Sequence, residues 1–147
     1  MKMIVRPVPT FRSDYRAFRE ITTRWKDNDV FGHVNNVNYY SFFDTVVCGH
    51  LMETGAFHYE TSETIAFVVQ TQCNYFAPIA FPDKITGGLR VEHIGGSSVR
   101  YGIGLFREDE DKASAAGHFI HVFVNRETHK PVGELPVDLR VVMEGLA

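Results

Sequence analysis

WKDNDVFGHVNNVNYYSFFDTVVCGHLMET, residues 25–54, changes character at Asn36. Before that point Asp, Asn and Gly crowd together, and these residues favour turns over regular elements. After it, residues 37–54 hold only two charged side chains, Asp44 and Glu53, while apolar ones recur at 37, 40, 43, 47 and 51. That spacing is the helical period. Tyr39, Phe42, Val46 and Cys48 cover neighbouring faces, so the pattern predicts a helix from about Asn36 to Thr54 that is apolar nearly all round. Such a helix must be wrapped by protein. It would be about 27–30 Å long at 1.5 Å per residue. Asn35 or Asn36 can cap its start, and Gly55 can end it.

The flanking sequence reads as strands. Upstream, YRAFREITTRW (15–25) mixes aromatic and β-branched residues with charges. Downstream, residues 64–77 put Ile65, Phe67, Val69, Cys73 and Tyr75 on one expected face, with Gln70, Gln72 and Asn74 on the other. Pro78, Pro82 and Asp83 turn the chain, and residues 84–94 then carry Ile85, Leu89 and Val91 on one side. Gly95-Gly96-Ser97 makes the next turn into residues 98–107, where Val99, Tyr101, Ile103 and Leu105 alternate. After the charged turn EDEDK, residues 115–125 set Phe119 and Phe123 against Ile120, Val122 and Val124, so both faces of that strand need cover. Pro136 can start a short helix within 135–145. Short connections imply antiparallel neighbours. The fold class that satisfies every segment is α+β, one curved antiparallel sheet of five strands around one long helix.

The chain has 147 residues, 15 basic and 18 acidic, for a formal net charge of -3. This length suits a single domain, 1–147. A pI near 6.1 argues against nucleic-acid binding through bulk charge. No stretch approaches the roughly 18 apolar residues of a membrane span, and the Pro-broken, charged N-terminus lacks the apolar core of a signal peptide. Two cysteines, Cys48 and Cys73, are too few for a disulfide scaffold, so the expected compartment is the cytoplasm. Both lie in apolar runs and read as core residues. No metal is expected. The closest histidine pair is His118 and His121, whose side chains point to opposite faces of a strand. No GxSxG element is present.

The densest polar cluster, Asp27-Asn28-Asp29 followed by Gly32-His33 and Asn35-Asn36, lies directly before the helix. A helix start leaves backbone N–H groups unpaired and carries roughly half a positive charge. A carbonyl oxygen placed there is polarised as negative charge builds on it. A nearby carboxylate can attack that carbonyl or activate a water. Asp29 stands seven residues before Asn36, close enough for a tight loop to fold it back, and Gly32 permits a sharp turn or a close substrate approach. Asp27 reads as a turn or hydrogen-bonding residue. His33 is a candidate general base, ligand or plain loop residue, the last being the simplest. At Asn35 and Asn36 the backbone matters more than the side chain.

WKDNDVFGHVNNVNYYSFFDTV resembles the signature segment of the hotdog-fold acyl-CoA thioesterases of the 4-hydroxybenzoyl-CoA thioesterase type. The likeness continues through NYFAPIAFPDKI, IGGSSVRY and HFIHVFVNRETHKPVGELP, so it covers about residues 18–140. It implies a hotdog fold assembled as homodimers or homotetramers, with active sites at the dimer interface. It implies hydrolysis of an acyl-CoA to a free acid and coenzyme A, with coenzyme A belonging to the substrate and no cofactor required. By this resemblance Asp29 corresponds to the catalytic carboxylate, and the amide near Asn36 to the group that polarises the thioester. Gly96, Ser97 and Ser98 fall where coenzyme A runs, with Arg90 or Arg100 as candidate phosphate contacts. Gly32 and Tyr39 are further candidate substrate contacts.

Two other functions remain open on these residues. Hotdog hydratases and dehydratases use an Asp–His pair, and Asp29 and His33 have nearly suitable spacing. Their Asp-x-Asn-Pro continuation is replaced here by Val30-Phe31-Gly32. A non-catalytic acyl-binding hotdog module is the third possibility.

Overall fold

The computed structural model describes residues 5–147. Its strands are Ala17–Thr22 (β1), Thr64–Tyr75 (β2), Lys84–Ile94 (β3), Ser98–Arg107 (β4) and Ala115–Asn125 (β5). Its helices are Asn38–Glu53 (α1) and Val137–Gly145 (α2). The strands form one antiparallel sheet in the order β1-β3-β4-β5-β2, the five-stranded wrap that the hotdog resemblance implies. β1 and β2 are its edges.

The sheet closes on α1, which buries Tyr39, Phe42, Phe43, Val46, Val47 and Leu51. These pack in one core with the alternate residues of β4, Val99, Tyr101, Ile103 and Leu105, all fully buried. Each large side chain of this kind contributes roughly 1.5–3 kcal/mol on burial. The helix ends where expected, at Gly55, which adopts φ 77°. From Pro136, α2 lays Leu139 and Met143 onto the same core, and the Leu146 carbonyl accepts the Val91 amide at 2.8 Å.

Three expectations need correction. The helix is not enclosed all round within one chain: Val37, Ser41, Asp44, Thr45 and Met52 are exposed, and Cys48 is only half-buried. Strand β1 stops at Thr22. The Asp27 carboxylate accepts the Arg24 amide at 2.7 Å and curls Trp25–Asp27 into a 3₁₀ turn. In β2 an extra residue at Val69 interrupts the pairing with β5 between Val68 and Gln70. Directly opposed residues share a face. Ala66, Val68, Thr71, Cys73 and Tyr75 therefore face the helix side with Phe123, His121 and Phe119. Ile65 and Phe67 join Gln70, Gln72 and Asn74 on the outer face. One inserted residue has inverted half the strand.

His118 and His121 do lie on opposite faces. His118 sits outside, between Arg100 and Gln70, while His121 lies inside with its Nδ1 3.2 Å from the Tyr101 hydroxyl. Among the described residues no His, Cys, Asp and Glu group could hold a metal ion, and no helix is long and apolar enough to cross a membrane.

Candidate active site at the start of the central helix

Residues 27–35 fold into a narrow hairpin that ends where α1 begins. Asn28 and Val34 are bridge partners, and the Asp29 amide donates to the His33 carbonyl at 3.0 Å. Gly32, at φ 81°, closes the tip and donates its amide to the Asp29 carbonyl at 3.0 Å. A side chain at that φ would be strained, which accounts for glycine there. Two tethers hold the hairpin to the connection between β2 and β3. Val34 donates its amide to the Ile79 carbonyl at 2.7 Å, and the Asn28 side-chain oxygen accepts the Phe81 amide at 3.0 Å.

Asp27 is structural. It is 1% exposed, and its carboxylate takes the Arg24 amide together with the Arg24 guanidinium at 3.0 Å. Its carbonyl accepts from the Asn35 amide at 2.8 Å and from the Asn38 side chain at 3.0 Å, which pins the hairpin base to the helix. Asp29 is half-buried, and one carboxylate oxygen accepts the Phe31 amide at 2.9 Å. Its second oxygen has no protein partner among the described residues. A carboxylate held by one oxygen and free at the other can serve as nucleophile or general base.

The helix entry is a turn capped by Asn35, whose side chain accepts the Val37 amide at 3.1 Å while its carbonyl accepts the Asn38 amide at 2.9 Å. The next bond, from the Tyr39 amide to the Asn36 carbonyl, is long at 3.4 Å. The Asn36 N–H has no acceptor among the described residues, and it sits at the positive end of α1.

His33 is exposed and lines a surface cavity of about 300 Å³ with Pro78, Asp83, Arg107 and Glu110, a cavity Asp29 does not line. Tyr39, expected at the substrate, belongs to the core instead. It is buried against Tyr75 and Phe42, and burial pushes its phenol up to about 12. The Gly96-Ser97-Ser98 turn lies at the far end of the sheet from the helix start in the same chain. Ser98 opens β4, whereas Leu105 pairs with Ala115, which pairs with Tyr75. Seven residue steps along the strand separate Ser98 from Leu105, roughly 23 Å. Arg90 and Arg100 point to the outer face, where both are tied to Glu92, at 3.6 and 3.2 Å. One contact has no counterpart in the sequence pattern: the Tyr75 hydroxyl donates to the Asn36 carbonyl at 2.7 Å across 39 residues.

A model of the thioesterase superfamily matches residues 31–114, beginning two residues after Asp29. The chain is 48% identical to the PA5185 protein of Pseudomonas aeruginosa strain PAO1, whose crystal structure superposes with TM-score 0.91 over 95% of this chain and 96% of that one. It is 28% identical over 126 residues to the long-chain acyl-CoA thioesterase FadM of Escherichia coli K12, 85% of this chain and 95% of FadM. The DHNA-CoA thioesterase of Staphylococcus aureus shares the fold, with TM-score 0.72 at 24% identity over 80% of this chain and 79% of that one.

Proposed function

The chain belongs to the thioesterase superfamily, and on that premise we propose that it hydrolyses an acyl-CoA thioester to the free acid and coenzyme A. The observation that carries the proposal is a carboxylate with a free oxygen on the hairpin and, directly after that hairpin, a helix-start amide without an acceptor. The thioester carbonyl oxygen accepts the Asn36 N–H, so charge building on it meets the positive helix end. Asp29 then either attacks the carbonyl carbon, giving an anhydride that water opens, or removes a proton from the attacking water. In both routes the C–S bond breaks and the coenzyme A thiolate leaves. Asp29 lies opposite His33 on the hairpin, and Asn36 follows three residues later, just before α1.

The working unit in this proposal is a homodimer. β2 is an edge strand whose Phe67, Val68 and Val69 are 42, 49 and 58% exposed, and the hairpin tip adds Val30 and Phe31 at 95 and 83%. An apolar edge of this kind needs a partner strand, and a second copy supplies one. The partner's Gly96–Ser98 turn would then contact the coenzyme A that its own chain's turn lies too far away to reach.

The test is a panel of acyl-CoA substrates of varied chain length, with released thiol followed by a thiol-reactive dye. Thiol release from at least one member is expected. Binding of acyl-CoA with no release from any would replace hydrolysis by a binding module. Single turnover in oxygen-18 water separates the carboxylate roles, since only the nucleophilic route leaves label in Asp29.

A further inference from the structure

We infer that Tyr75 is a positioning residue for the reaction, its hydroxyl holding the helix start so that the Asn36 N–H meets the thioester oxygen. This rests on the hydrolase proposal above and adds a residue from another element to it. The Tyr75 hydroxyl donates to the Asn36 carbonyl at 2.7 Å, a full-strength bond. The only other bond to that carbonyl among the described residues, a turn bond from the Tyr39 amide, is 3.4 Å and weak. The turn that leads into α1 therefore depends on Tyr75 for what its own backbone supplies only weakly. An amide that stabilises developing charge is effective when it need not reorganise.

Tyr75 is itself well anchored. Its backbone pairs with Ala115 at the start of β5, and its ring packs edge-on against the buried ring of Tyr39, with centroids 4.8 Å apart. The sheet thus fixes the ring, and the ring fixes the helix entry. Burial first, then the neighbouring Cys73 and Tyr40, holds the phenol above its ordinary value.

The experiment compares wild type, Tyr75→Phe and Tyr40→Phe in steady-state hydrolysis of an acyl-CoA that the wild type turns over, together with thermal melting. Phe at 75 keeps the ring contact and removes only the donor. In Tyr75→Phe, kcat falls roughly tenfold, the scale of one lost hydrogen bond to a positioned group, with KM within about twofold and melting nearly unchanged. Tyr40→Phe, altered beside the same hydroxyl but not at it, keeps its kcat. Unchanged kcat in Tyr75→Phe, with or without lower melting, or an equal loss in Tyr40→Phe, overturns the role of Tyr75 and leaves the hydrolase proposal intact. A wild type inactive on every acyl-CoA overturns both.

Discussion

Acidification destabilises this fold through one buried imidazole. His121 is 3% exposed, packed among Tyr101, Phe119 and Phe123, with ring centroids 5.3, 4.9 and 5.7 Å away. Burial lowers its pKa from 6.5 to about 4, against the opposing pull of the Asp44 carboxylate. Above pH 6.5 neither folded nor unfolded chain protonates this ring, and its contribution is flat. As pH falls from 6.5 towards 4 the unfolded chain takes the proton and the folded chain does not, so stability drains away. Below 4 both are protonated and the loss levels off. A gap of about 2.5 pH units at about 1.4 kcal/mol each gives a loss of about 3–4 kcal/mol. His121→Gln removes the titration and keeps a polar partner for Tyr101. Urea unfolding of both proteins at one fixed concentration, at pH 7 and pH 4.5, reads the effect as an acid-induced midpoint drop. That drop should be roughly 1–3 M larger in wild type than in His121→Gln. Carboxylates titrating in the same window cancel in that comparison. Equal acid sensitivity in wild type and His121→Gln would refute the assignment.

Asp27→Ala leaves the Arg24 amide without its acceptor and empties a buried polar position, so it should lower stability by about 1–3 kcal/mol and the melting temperature by roughly 3–10 °C. An unchanged melting curve would show that the hairpin base is held otherwise. Gly117→Ala drives a Cβ into the Gln72 carbonyl of the paired strand, while Gly133 has open space around it. The first should fail to accumulate as folded protein and Gly133→Ala should melt like wild type, as thermal scans will show. His33→Ala separates hydrolysis from hydration: thiol release should persist within about threefold, whereas an enzyme using this ring as acid or base would lose at least roughly a hundredfold.

Much of the fold was legible because its hydrophobic periods are clean. The alternation Val99, Tyr101, Ile103, Leu105 translates directly into a buried face, and the apolar run of the helix gives one from Tyr39 to Leu51, with Val37 left exposed at its entry. The faces of β2 were not legible. A bulge at Val69 leaves no mark in a run of apolar residues, yet it turns Ile65 and Phe67 outward. Nor does the apolar spacing reveal that Thr45 and Met52 stand exposed, because a helix with apolar residues on most of its faces does not mark which face is covered. In the candidate site the Asp, Asn and Gly density marked a tight loop, since the bonds that close its tip, between Asp29 and His33, Gly32 and Phe31, span only a few residues. Tyr75 escaped because its contact with Asn36 joins two separate elements, and a tyrosine at a strand end carries no local signal of that bond.

Asp29→Asn is the most direct test of the central claim. It preserves the side chain's shape and its bond from the Phe31 amide while removing the charge that attacks or activates. Turnover of the best acyl-CoA should fall at least roughly a hundredfold, with an unchanged melting temperature. Thiol release at the wild-type rate by folded Asp29→Asn protein would contradict the account.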